Sequence, residues 1–148
     1  LADESNKIGT FGHGYTGGAH PVAAAVANEN IKIIEENNLV ANAREVGAHM
    51  QKRLRELADH PLVGEVRGKG LIAAVELVAD KQTKEPLEKA GNLGLMANNA
   101  LLNNGVICRN MLDTVAFCPP LIINEKQVDE MVGAFAKALD TVAAEVKK

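Results

Sequence analysis

The sequence predicts an α+β fold: a small antiparallel sheet with helices packed on one face. Apolar residues recur at three- and four-residue spacing in several stretches, the pattern of amphipathic helices. Between them lie short β-rich runs that come in pairs joined by tight turns. Paired strands of that kind favour an antiparallel sheet. The predicted order is helix, helix, strand, strand, helix, strand, strand, helix. The 148 residues suffice for one sizeable core, with no internal repeat or low-complexity segment.

Each element has its own warrant. Residues 1–20 are polar, then glycine-rich, and read as irregular. Pro21 suits a first helical position, where its missing N–H leaves no bond unmade. Val22, Val26, Ile33 and Ile34 follow as an apolar stripe that stops near Asn37-Asn38. Leu39, Ala43, Gly47, Met50, Leu54 and Leu57 give a second helix one apolar face, ended by His60-Pro61. The period then changes. Val63 to Arg67 alternate, Gly68-Lys69-Gly70 make a tight turn or bulge, and Leu71 to Val78 read as a strand buried on both faces or nearly so. Asp80 to Pro86 are a polar loop. Leu93, Met96, Ala97, Ala100 and Leu101 mark a third helix, with Gly105 at its C′ position. Val106 to Arg109 and Thr114 to Cys118 pair across a turn at Asn110 to Asp113, and Pro119-Pro120 stop the sheet. Asn124 caps the last helix, with Gln127 as capping-box partner. Val128, Met131, Val132, Phe135, Leu139, Val142 and Val146 form its apolar face.

Composition narrows the function. Net charge is −3 and aromatic content 3%, and Lys and Arg are interleaved with Asp and Glu. Neither a phosphate-backbone patch nor a base-stacking platform is expected, so nucleic acid is not. No apolar run approaches the roughly 20 residues of a membrane span, and there is no secretory signal pattern. Cys108 and Cys118 are too few for a disulfide framework and read as reduced thiols of a cytoplasmic protein.

The chemistry-bearing candidates are few. Gly12 to Gly18 places four glycines around one hydroxyl, Thr16, and runs into the helix at Pro21. Free backbone N–H groups with a hydroxyl make a good phosphate contact. The loop fits neither a dinucleotide fingerprint nor a Walker A motif. His13 and His20 lack further ligands nearby, so no metal site is expected. His49 and His60 read as surface helix positions. Arg109, beside a turn, is either a solvated strand end or a bidentate clamp for a carboxylate. Arg67 reads as a structural ion pair next to the Gly68 turn. Lys7, Lys69 and Lys81 read as lying in polar loops, without the desolvated pocket that activates a lysine.

Taken together, these segments resemble a known family. Phe11 to Ala27, with His13-Gly14-Tyr15-Thr16 and His20-Pro21, resembles the His-Gly-aromatic-Thr-Tyr-Ser-Gly-His-Pro stretch of the class III (omega-type) aminotransferases. Val66-Arg67-Gly68-Lys69-Gly70-Leu71 is similar to the family's Arg-Gly-x-Gly-Leu hairpin. Gly105 to Arg109 and Pro119-Pro120-Leu121-Ile122-Ile123 are similar to its C-terminal strand, carboxylate-binding Arg and Pro-Pro-Leu element. The order agrees over nearly the whole chain. Gly17-Gly18-Ala19 stand where the family has Tyr-Ser-Gly, so no Ser hydroxyl is present there.

The resemblance implies a pyridoxal 5′-phosphate enzyme of fold type I. Residues 1–36 would be the cofactor loop and linking helix from the end of the large domain, and residues 37–148 the C-terminal small domain. Tyr15 and Thr16 would reach the cofactor phosphate of the other subunit in a homodimer or homotetramer. Arg109 would bind the acceptor's carboxylate, or swing away for bulky substrates. The parent would move an amino group from a primary amine or ω-amino acid to a 2-oxo acid such as pyruvate. The family's Schiff-base lysine precedes the glycine-rich loop and has no counterpart here, so the chain alone is expected to be inactive. Its Val22–Ile34 stripe, partly uncovered, is expected to bring self-association, or disorder of the first ~20 residues. The alternatives are an aminomutase of the same class, or a non-catalytic interaction module with the small-domain fold.

Overall fold

The computed structural model describes residues 2–9 and 14–146. It falls into two compact units, residues 1–37 and 38–148. The first unit holds α1 (Ala2–Ile8) and α2 (Pro21–Glu36). α1 departs from the irregular stretch expected there. Asp3 and Glu4 lie in its first turn and Lys7 in its last, charges that complement the helix dipole. Lys7 also pairs with Glu4 at 2.7 Å, so this lysine is helical rather than in a loop. α2 starts on Pro21, as the fixed φ of proline favours. None of its residues is buried, and Val22 and Val26 are exposed.

The second unit is α+β. α3 (Leu39–Arg55) precedes strands β1 (Val63–Lys69) and β2 (Ile72–Leu77). α4 (Asn92–Asn103) precedes β3 (Arg109–Met111) and β4 (Thr114–Phe117), and α5 (Glu125–Val146) closes the unit. The strands form one antiparallel sheet in the order β1-β2-β4-β3. α3 packs on β1 and β2, α4 on β3 and β4, and α5 on both helices. The helices therefore cover one sheet face, as the sequence predicts.

Three strand expectations need correction. Gly68 and Lys69 are not in a turn or loop: β1 runs through both in regular register with Ala73 and Ile72, and the chain turns at Gly70-Leu71. Leu71 to Val78 is not buried on both faces. Ala73, Val75 and Leu77 point into the core, while Ile72 is 66% exposed and Ala74 and Glu76 are half-buried. The run is apolar because small Ala74 and solvent-facing Ile72 lie on the open face. Residues 106–108 are not a strand either. β3 begins at Arg109, and the turn shrinks from Asn110–Asp113 to Leu112-Asp113. The register explains the shift: Met111 pairs with Thr114, which leaves only two residues to turn the chain.

The core is Met50 and Leu54 of α3, Val75, Val115 and Phe117 of the sheet, Leu93 and Leu101 of α4, and Val128, Phe135 and Leu139 of α5. Phe117 and Phe135 meet edge-on, with ring centroids 5.0 Å apart and planes at 69°. α3 crosses the β1–β2 turn at glycines. A Cβ on Gly47 would stand 2.5 Å from the Gly70 carbonyl carbon, and Gly70 itself has φ +57. Buried Gln51 ties the crossing by donating to the carbonyls of Gly70 (2.9 Å) and Ile72 (3.0 Å). The predicted capping box is formed: Gln127 N–H donates to Asn124 Oδ1 at 2.9 Å, and Asn124 N–H to Gln127 Oε1 at 3.1 Å.

Neither histidine is a plain surface position. His49 is half-buried, its Nε2 3.0 Å from Asp129 of α5. His60 lies beyond α3, and its Nδ1 accepts from Leu62 N–H at 3.2 Å. Lys81 is engaged as well, donating to the Ala58 carbonyl at 2.6 Å.

Asp129 links α5 to α3, accepting from Arg53 Nε at 2.7 Å. The Arg53 and His49 hydrogen bonds hold its carboxyl below the ordinary carboxylate range. A carboxyl that titrates lower in the folded chain stabilises it above the unfolded value, near pH ~4. That contribution fades as pH falls through the lower, folded value. Urea unfolding from about pH 6 down to about pH 3 should therefore show a shallower stability loss for Asp129→Asn than for the parent chain. Parallel curves for the two would contradict the role of this ion pair.

Candidate functional site

In the second unit, Arg109 opens the edge strand β3. The strand pairings place it in a row with its neighbours. Arg109 faces Ala116, Ala116 faces Ala74, and Ala74 faces Arg67. Directly paired residues share a sheet face. This is the face opposite the helices, and the two alanines make a low floor between two arginines. Their electrostatics differ. Arg67 donates to Glu76 at 2.8 Å and Glu65 at 3.0 Å, as the sequence predicts. These carboxylates raise its already high pKa. Arg109 is exposed, and among the described residues its guanidinium has no hydrogen bond or ion pair. The sheet thus presents one satisfied arginine and one with its fork of donors uncommitted.

Arg109 lines a concavity of about 510 Å³ with Cys108, Ala116, Cys118, Pro119 and Pro120 among its walls. Residues far apart in sequence, Arg109 and the Pro119-Pro120 element, meet in one groove. The prolines end the sheet where β4 has no further N–H to offer. The segment after them is fixed by Asn42 of α3, whose Nδ2 donates to the carbonyls of Leu121 (2.6 Å) and Ile123 (3.0 Å). The groove is mostly apolar with one cation at its edge. That arrangement suits a small molecule with a carboxylate at one end.

Sequence reasoning missed two residues that build this site. Asn42 carries no pattern that distinguishes it from a solvated helix residue. Asp113 is the second. It is 8% exposed, and its carboxylate accepts from Gly91 N–H at 2.7 Å and Gly94 N–H at 2.9 Å. Its signal was an acidic residue in a turn, with Gly91 and Gly94 spaced to start a helix nearby.

Tyr15 and Thr16 lie in the first unit. Gly18 N–H donates to the Tyr15 carbonyl at 2.8 Å, which closes a turn with Thr16 and Gly17 at its centre. Both are exposed, and among the described residues the Thr16 hydroxyl and the amide N–H groups of Thr16 and Gly17 have no internal partner. Two amides and a hydroxyl left free on one turn fit the oxygen atoms of a phosphate. Phe11, Gly12 and His13, which belong to the same sequence motif, lie outside the described residues. Among the described residues no group of three or more His, Cys, Asp or Glu could hold a metal ion. No helix there is long and apolar enough to cross a membrane.

A family model described as aminotransferase class-III matches residues 3–139 of the chain. A putrescine–pyruvate aminotransferase of Pseudomonas aeruginosa is 46% identical over 147 residues, covering 99% of this chain and 32% of that protein. A solved transaminase variant with SMBA is 64% identical with a TM-score of 0.90 over 100% of this chain and 35% of its own. The omega transaminase of Pseudomonas jessenii in complex with PMP is 51% identical with a TM-score of 0.88, covering 99% of this chain and 32% of its own. The chain therefore spans about a third of the length of the proteins it matches.

The two cysteines of the groove differ in reach. Cys118 is exposed. Burial, and to a lesser degree Cys118, push the Cys108 thiol up to about 11. At pH 8 that leaves Cys108 roughly a hundredfold less thiolate than an ordinary cysteine. Timed iodoacetamide labelling read by peptide mass spectrometry should modify Cys118 first, with Cys108 at least about tenfold slower. Equal rates would show that the groove does not bury Cys108.

Proposed function

The chain belongs to the class III aminotransferases, and from that premise we propose that it is the C-terminal third of a pyridoxal-phosphate enzyme. The enzyme moves an amino group from a primary amine or ω-amino acid to a 2-oxo acid such as pyruvate. The observation that carries this reading is the uncommitted Arg109 guanidinium at the edge of an apolar groove. The reaction passes an amino group from a donor that, as a simple primary amine, needs no carboxylate to an acceptor that always carries one, the 2-oxo acid. The bidentate fork of Arg109 suits the second. The apolar walls suit the chain of the first. The name of the Pseudomonas aeruginosa relative, putrescine–pyruvate aminotransferase, supports that substrate pair.

In this reading residues 1–36 are the cofactor loop and linking helix from the end of the large domain, and residues 37–148 are the small domain. Pyridoxal 5′-phosphate, when bound, supplies the electron sink of the reaction. Thr16 holds its phosphate with the side-chain hydroxyl and the backbone N–H, and Tyr15 flanks it, both across the interface of a cytoplasmic homodimer or homotetramer. Arg109 orients the 2-oxo acid. The lysine that forms the Schiff base comes from the large domain, so residues 1–148 alone do not turn over.

The test uses an enzyme in which residues 1–148 are joined to the lysine-bearing first two-thirds of the putrescine–pyruvate relative. Arg109→Ala should raise KM for pyruvate about 10- to 100-fold, the loss of a charge-assisted pair of hydrogen bonds. KM for putrescine, which has no carboxylate, should stay within about twofold. Arg109→Lys should restore only part of the loss, because an ammonium lacks the planar fork. Equal effects on both substrates would overturn the assignment of Arg109.

A further inference from the structure

The guanidinium of Arg109 is only as well placed as the strand that carries it. β3 is three residues long and lies at the sheet edge, held by pairings to β4 alone. A strand that short does not fix its own position. Its turn is also unfavourable. Leu112 has φ +50, a left-handed conformation that is unfavourable for a residue with a branched side chain. Such a turn persists only where its surroundings impose it.

The surroundings do so from several sides. The Asp113 carboxylate accepts from Gly91 N–H through Oδ2 (2.7 Å) and from Gly94 N–H through Oδ1 (2.9 Å). Both amides belong to the start of α4, where no residue of the helix supplies its own side-chain cap. The positive end of the helix favours the negative carboxylate. The Asp113 carbonyl accepts from Leu77 N–H of β2 at 2.8 Å. Gly94 makes the approach possible, since a Cβ there would collide with the Leu112 carbonyl oxygen. Gly91, at φ +99, presents its N–H from a conformation that favours glycine. Asp113 itself is buried and is not among the residues that line the groove.

We propose that Asp113 is a positioning residue for Arg109: by docking the β3–β4 turn onto the first turn of α4, through Gly91 and Gly94, it sets the guanidinium at the height and angle that the 2-oxo acid's carboxylate requires. The inference rests on the carboxylate-clamp reading of Arg109. It assigns substrate discrimination to a contact on the far side of the hairpin from the substrate. A small misplacement of a bidentate donor is enough to lose most of its binding.

Two measurements test it. In the 148-residue chain, NMR should detect scalar couplings across the hydrogen bonds from Gly91 and Gly94 N–H to the Asp113 carboxylate, and both amides should exchange slowly. Their absence overturns the proposal without any variant. In the joined enzyme, Asp113→Asn replaces one acceptor oxygen with a donor and breaks one of the two bonds. It should raise KM for pyruvate about tenfold, leaving KM for putrescine and cofactor loading within about twofold. Gly94→Ala, which pushes the turn away while retaining the carboxylate, should produce the same split. Equal loss toward both substrates, or none, would show Asp113 to be structural only. If Arg109→Ala leaves KM for pyruvate unchanged, the clamp reading fails. If Arg109→Ala raises it and Asp113→Asn does not, the positioning role alone fails.

Discussion

The second unit depends on a carboxylate that has no charge partner among the described residues. Asp113 is buried, and its two oxygens are satisfied by two backbone amides at the start of α4. A helix start needs acceptors, and a buried carboxylate needs donors. Each settles the other, and the contact joins the sheet's most weakly held strand to the helix layer. The glycines at positions 91 and 94 are what let the backbones come that close. The same logic recurs at the α3 crossing, where Gly47 and Gly70 touch and Gln51 bridges to the turn. Both β-hairpins are thus docked onto a helix by glycine contact and a buried polar side chain. Hydrophobic burial holds the layers together, and these two contacts set where the hairpins sit.

Charge is distributed along the same lines. Arg53 and Arg67 are paired with carboxylates and serve the packing of α3 on α5 and of β1 on β2. Arg109 has no such partner among the described residues and borders the apolar groove. The Tyr15–Gly18 turn likewise leaves amides and a hydroxyl unspent. Unused donors at two separate places fit a chain that supplies binding contacts for a carboxylate and a phosphate. On the proposed reading, the nucleophilic nitrogen comes from elsewhere in the enzyme.

Much of this was legible in the sequence. Helical spacing located α2 to α5, and the change of period located the hairpins, because burial on one face leaves a repeat that can be read directly. The capping box at Asn124 and Gln127 was legible for the same reason: its two side chains act over three residues. The errors have physical causes. α1 is held by end charges rather than by an apolar stripe, so periodicity does not reveal it. Ile72 is apolar yet exposed, which made β2 read as a doubly buried strand. The start of β3 depends on its register with β4, and register is set by a two-residue turn with Leu112 in an unusual conformation. Among the candidate binding residues of the two units, Arg109 and Thr16 stood out by residue type and neighbours. Asp113 and Asn42 did not, since their partners are backbone groups far away in the chain.

On the proposed reading, residues 1–148 provide the carboxylate and phosphate contacts of an aminotransferase whose lysine lies elsewhere. The most direct measurement is alanine formation from putrescine and pyruvate with added pyridoxal 5′-phosphate. It should be run on the 148-residue chain alone and on the same chain joined to a lysine-bearing large domain. No turnover above background is expected from the first, and steady turnover from the second. Turnover by the 148-residue chain alone would contradict that reading, as would a folded, cofactor-loaded joined enzyme that makes no alanine.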